Sequence, residues 1–70
     1  MTFILICPHH DHCNVMVMNQ NAAVLDSRVI SESDLTSVVS ELESRFKTGR
    51  TLIWSETESR WLNYEEENLC

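Results

Sequence analysis

One amphipathic helical pattern in the middle of the chain constrains the fold more than any other feature of this sequence. Apolar residues recur there at steps of three and four, which places them on one stripe of a helix. The stripe is formed by Leu35, Val38, Val39, Leu42 and Phe46. Candidate N-cap serines before it and Gly49 as the residue after its end predict a helix over about residues 33–47. Glu41 and Arg45 lie four residues apart and are expected to pair on its outer side.

The segments on both sides of this helix are rich in residue types that favour β-strands. Each segment is bounded by polar or turn-forming residues, as strands usually are. The predicted strands cover residues 2–7, 13–18, 22–30 and 51–55. The first is a continuous apolar run, so we expect it to lie centrally in the sheet, buried on both faces.

The segment after residue 55 fits two structures. As a strand over residues 60–64, it forms a hairpin that brings Trp61 close to Trp54 and places Tyr64 on the other face from Trp61. As a helix, it begins with a capping box made by Ser55 and Glu58. We favour the hairpin. The order is then β-β-β-α-β-β, which predicts an α+β fold with a small antiparallel β-sheet and one helix packed on one face.

The size of the chain makes uncovered surface important. Residues 1–70 are predicted to form a single domain, and a core of this size rarely supplies more than roughly 3 to 5 kcal/mol. Small domains therefore often depend on a disulfide, a metal or a partner. Because one helix covers only one side of the sheet, the second side favours a partner protein or a homodimer.

The charge is strongly acidic. Eleven Asp and Glu residues against five Lys and Arg residues give a net charge of −6. Direct binding to nucleic acid is not expected, because phosphate contacts need basic side chains. The same charge suits a larger protein with a basic surface, since complementary potentials speed encounter and select against wrong partners.

The N-terminal apolar run and the cysteine count bear on location. Residues 3–6 are far too few to span a bilayer and lack the flanks of a secretory signal, so we expect no membrane association and a cytoplasmic location. The three cysteines, Cys7, Cys13 and Cys70, are an odd number. This favours reduced thiols, a metal site or one optional bridge over a secreted disulfide framework.

Residues 7–13 hold the densest group of potential metal ligands, two thiols and three imidazoles. Zinc takes such ligands in a tetrahedral site. Cys7, His9, His12 and Cys13 are the candidate set, with zinc as the possible cofactor. The spacing matches no standard zinc pattern, so two other interpretations stay open: a plain polar hairpin loop and a disulfide between Cys7 and Cys13.

Aromatic residues alternate with charged ones in the last third of the chain. Tryptophan and tyrosine are enriched among binding hot spots, and an acidic rim would orient a basic partner. The candidate partner-binding residues are Trp54, Glu56, Glu58, Trp61, Tyr64 and Glu65. The alternative is that these aromatics belong to the core.

No catalytic motif stands out. The chain has no phosphate-cradling glycine loop, no G-x-S-x-G elbow and no H-E-x-x-H, so we predict that it is not an enzyme. The leading hypothesis is a protein–protein interaction module. The alternatives are a zinc-binding module built on residues 7–13 and an antitoxin or accessory subunit.

In length, acidity, lack of catalytic motifs and the expected uncovered sheet face, the chain resembles the small single-domain inhibitors that bacteriophages encode against host enzymes and defence systems, including anti-CRISPR proteins. The resemblance implies a viral protein that occludes a basic functional site on a larger protein in the host cytoplasm.

Overall fold

The fold is a five-stranded sheet with a single α-helix, as seen in a computed structural model that describes residues 1–64. The elements are β1 (Thr2–Pro8), β2 (Cys13–Asn19), β3 (Val24–Ile30), a 3-10 turn (Glu32–Asp34), α1 (Leu35–Phe46), β4 (Arg50–Ser55) and β5 (Arg60–Asn63). The predicted α+β class, the order of elements and the C-terminal hairpin are confirmed. Over the described part of the chain, no helix has the length and apolar character needed to cross a membrane.

The sheet is mixed, whereas the sequence predicted an antiparallel one. Its strand order is β3-β2-β1-β4-β5, and β1 pairs with β4 in parallel. The other three neighbouring pairs are antiparallel. The parallel pair follows from the connection through α1, which returns the chain to the end of the sheet where β1 begins. As expected, β1 lies at the centre of the sheet.

The core lies on one side of the sheet, which we call the inner face. Successive strand residues point to opposite sides, so alternate residues of β1 and β2 meet the helix. The most deeply buried are Ile4, Ile6, Cys13, Val15 and Val17 from the strands, with Leu35, Val39 and Leu42 from α1. The predicted helical stripe therefore packs as its spacing indicates, with Val38 and Phe46 against the margin of the core.

Polar contacts tie the helix to the sheet on both sides of this core. Thr51 on β4 is buried, and its Oγ1 donates a hydrogen bond of 2.9 Å to Oε2 of Glu43. On the other side, Nη2 of Arg28 on β3 donates a bond of 2.9 Å to Oε2 of Glu41. Glu41 was expected to pair with Arg45 on the helix. It pairs instead with Arg28 on the sheet.

The helix ends differ from the prediction. At the C-terminal end the left-handed residue is Lys47, with φ of 51°, and Gly49 has no positive φ. Gly49 is instead held by its N–H, which donates to the carbonyl of Thr2 at 2.8 Å, and a Cβ there would lie 3.1 Å from Cγ of Met1. At the N-terminal end the cap residue is Asp34, without a side-chain capping bond.

We predict that removing one methyl group from the core measurably lowers the free energy of unfolding. Ile6→Val removes a methyl from a side chain with 0% exposure, so the free energy of unfolding should fall by about 0.5 to 1.5 kcal/mol. Urea denaturation followed by tryptophan fluorescence measures it. Thr36→Ser removes one methyl from the exposed side of α1 and should change stability by less than about 0.5 kcal/mol. Equal effects of the two variants would contradict this core.

Candidate interaction surface

The side of the sheet opposite to α1 carries an apolar surface that crosses four strands. We call it the outer face. It consists of Phe3, Leu5, Met16, Met18, Leu52, Trp54 and Trp61. No described helix or strand packs over it, because α1 lies on the inner face.

The register of the strands makes this surface continuous. Leu5 lies directly opposite Met16 on one side and Leu52 on the other. Phe3 lies opposite Met18 in the next outward-facing row. Paired residues on one face of a sheet lie close enough for their side chains to touch. Neighbouring strands partly bury these side chains, and they form one band rather than scattered apolar spots.

A tryptophan pair marks one end of the outer face. Trp54 and Trp61 are directly opposed across the β4–β5 hairpin, with ring centroids 5.4 Å apart and planes at 68°. This edge-to-face arrangement is a favourable one for aromatic rings. Trp61 remains 39% exposed. Two of the predicted partner-binding residues are therefore brought together on an accessible part of the sheet.

The turn between β4 and β5 places acids beside the tryptophans. Glu56 and Glu58 are both exposed in this turn, which begins one residue pair beyond the tryptophans. The backbone N–H of Glu58 donates to Oγ of Ser55 at 3.2 Å, and its carboxylate accepts a bond of 2.9 Å from Arg60. The predicted acidic rim is thus present next to the aromatic pair, with one of its acids paired to an arginine.

The two remaining residues of the predicted partner-binding set are Tyr64 and Glu65. Tyr64 is only 8% exposed and belongs to the core. Tyr64 directly follows β5 and packs in the core, whereas Trp61 within the strand lies on the outer face. Glu65 lies outside the described residues.

The hairpin loop between β1 and β2 brings its histidines together. The rings of His9 and His12 stack with centroids 4.7 Å apart. Nδ1 of His12 lies 2.6 Å from Oδ1 of Asp11, and the Asn14 side-chain amide lies 3.1 Å from Nε2 of His9. The hydrogen bond and the charge of His12 lower the pKa of Asp11 below its usual value. These contacts order an exposed polar loop.

The two cysteines that bracket this loop lie on opposite faces of the sheet. Cys7 pairs with Asn14, and Cys13 pairs with Pro8, so the cysteines are one register position apart. Both are free thiols. Cys13 lies in the core, and burial, followed by the charge of Glu32, raises the pKa of its thiol. Cys13 is therefore directed away from the exposed histidines of the loop.

The predicted zinc set is only partly assembled by this geometry. His9 and His12 are neighbours, whereas Cys7 and Cys13 are separated by the sheet. Among residues 1–64, no group of three or more His, Cys, Asp or Glu side chains is arranged to hold a metal ion. Zinc binding stays a prediction.

We predict unequal reactivity for these two thiols. In a Cys70→Ser background, a maleimide reagent at neutral pH should modify Cys7 faster than Cys13. Cys13 is only 2% exposed, and its raised pKa lowers the fraction of reactive thiolate. Mass spectrometry of digests taken over time measures both rates. Faster labelling of Cys13 would contradict its placement in the core.

We also predict an unusually acidic Asp11. Its lowered pKa in the folded protein means that its ionised form contributes stability above the ordinary carboxyl pKa, and that this contribution is lost as pH falls through the lowered value. Carboxyl-carbon NMR should show its midpoint below 3.8. His12→Asn should raise that midpoint, and His10→Asn should move it less, because His10 does not contribute to the shift.

The fold and this surface together define a small α+β protein whose sheet is covered on one side only among its described residues. Comparison with known proteins assigns no family: no family model matches the chain, and no curated protein or solved structure is significantly similar to it.

Proposed function

We propose that this chain is a non-enzymatic interaction module that binds another protein through its outer face. The observation that carries the proposal is the continuous apolar band opposite to α1, which ends in the Trp54–Trp61 pair. A contiguous apolar patch of this kind is typical of interaction sites, because leaving it in water is unfavourable.

The composition of the band favours a protein as the partner. Tryptophan is among the residues most enriched at binding hot spots, and methionine is enriched at interfaces, where it adapts to irregular partner surfaces. Met16 and Met18 lie in the band together with the tryptophans. This combination favours a partner that presents apolar side chains to be buried.

Charge narrows the chemistry of that partner. The chain carries a net charge of −6, and Glu56 and Glu58 lie beside the tryptophan end of the outer face. We infer a partner with an apolar patch flanked by basic groups, since complementary charge at the rim raises the association rate. The finer hypothesis is that the basic groups belong to a functional site of a larger protein, which the chain occludes as phage-encoded inhibitors do.

The placement of the acid–base groups favours binding over catalysis. Among the described residues, His9, Asp11 and His12 form a group of neighbouring acid–base side chains on the exposed hairpin loop. The Asp11 side chain is 80% accessible. A catalytic site usually needs a concave, water-excluding pocket around such groups.

The proposal predicts that changes on the outer face abolish capture of a partner. Tagged wild-type protein, Met16→Lys and Trp61→Ala are used as baits in lysate of the cells that carry the gene. The wild type should retain a stoichiometric partner. Met16→Lys, which places a positive charge within the band on β2, should lose at least about 90% of it. Quantitative mass spectrometry measures the recovery.

Ser40→Lys is the matched control, because it makes the same charge change on the solvent side of α1. It should retain the partner at wild-type levels, and circular dichroism should show that all baits are folded. Wild-type bait without a stoichiometric partner, or a partner retained equally by Met16→Lys, would overturn the proposal.

A further inference from the structure

Strand β3 forms a free edge of the sheet. In the described chain it pairs only with β2, so no strand lies against the other side of its backbone. The N–H of Ser27 donates instead to Oδ1 of Asp26 at 2.8 Å. It is seven residues long, with Val29 70% exposed and Leu25 45% exposed. The opposite edge, β5, has only four residues. The strand contains neither proline nor lysine. Its inward-pointing charges, Asp26 and Arg28, and its bulge are devices that oppose edge pairing, unless a partner strand matches the two charges.

The sequence of β3, VLDSRVI, is self-complementary about Ser27. When two copies pair antiparallel with Ser27 opposite Ser27, Asp26 of each lies opposite Arg28 of the other. On the next positions outward, Leu25 of each lies opposite Val29 of the other. A twofold interface repeats every contact, so one strand must carry both halves of each pair. Both charge contacts are then attractive, and both flanking contacts are apolar.

The structure already holds these two charges in place. Nε of Arg28 lies 3.2 Å from Oδ2 of Asp26, and the same guanidinium bonds to Glu41 on α1. The side chains of Arg28 and Asp26 are 28% and 26% exposed. Both lie on the inner face, opposite Val15 and Val17 of β2. Asp26 also accepts a hydrogen bond of 2.8 Å from the backbone N–H of Ser27. That bond must open before this N–H can pair with a second copy.

A bulge limits the extent of this pairing. The register of β3 against β2 shifts between Val17 and Met18, which leaves Leu25 as an extra residue. The regular part of the edge therefore begins at Asp26. The two pairs of Asp26 with Arg28 lie wholly within this regular part, whereas each pair of Leu25 with Val29 falls at the bulge.

We propose that a second copy of this chain adds its β3 to this edge, antiparallel and centred on Ser27. The product is a continuous ten-stranded sheet. Because the twofold axis runs perpendicular to the sheet, both helices lie on one side and both outer faces on the other. This inference does not rest on the proposed function, since it concerns the edge and not the outer face.

Cross-linking tests the centre of the pairing. In a Cys7→Ser, Cys70→Ser background, Ser27→Cys places two thiols directly opposite, where Cα separations of about 4.5 to 5.5 Å permit a disulfide. Val29→Cys is the matched control on the same strand, with its thiols about 13 Å apart along the edge. Mild oxidation should link Ser27→Cys at least about tenfold faster than Val29→Cys. Equal rates, or a monomer at every concentration in sedimentation equilibrium, would overturn the proposal.

Charge variants test the pairing independently. Asp26→Arg or Arg28→Asp places like charges opposite each other in a homodimer, which should raise its dissociation constant on the order of tenfold. Mixing the two variants restores an opposite charge at both positions, so the mixture should associate as a heterodimer. Circular dichroism checks that each variant is folded. Leu52→Lys, on the outer face and three strands away from this edge, should dimerise like the wild type. Loss of the dimer in Leu52→Lys would place the contact on the outer face and contradict the edge pairing.

Discussion

The packing of one helix across the middle of the sheet is the interaction on which the rest of this structure depends. Ile4, Ile6, Val15 and Val17 are buried because Val39 and Leu42 of α1 lie against them. No second described element repeats this arrangement on the other side of the sheet. Among the described residues, the sheet therefore has one buried face and one apolar face in contact with solvent. Its stability depends on the first, and the proposed function depends on the second.

The contacts between helix and sheet show why a small acidic chain can still hold its single helix in register. Two acids of the helix form hydrogen bonds to the sheet: Glu41 accepts one from Arg28 on β3, and Glu43 accepts one from Thr51 on β4. Ion pairs at the surface contribute little individually. Their geometric role is larger, because the contacts on the two sides of the core restrict rotation of the helix. Glu41 and Glu43 thus have structural contacts on the inner side, whereas Glu56 and Glu58 are exposed near the tryptophans.

Much of this fold could be predicted from local patterns, since periodicity and turn residues act over a few positions. The apolar stripe of α1, the hairpins and the opposition of Trp54 to Trp61 are local features, and the structure confirms them. The parallel pairing of β1 with β4, the Arg28–Glu41 contact and the core position of Cys13 depend on register between distant segments. Neither propensity nor spacing specifies such a register. Lys47 in the left-handed position where Gly49 was expected shows the same limit at a helix end.

The central position of β1 has a consequence for how this sheet forms. β1 is an interior strand of the finished sheet, and its second neighbour, β4, follows it in the chain only after the helix. Until β4 pairs with β1, this apolar strand has one unpaired edge and two faces in contact with water, a state prone to aggregation. Pairing of Phe3 with Arg50 also closes a long loop, which slows folding. The time needed to close that loop thereby sets how long the edge of β1 stays unpaired.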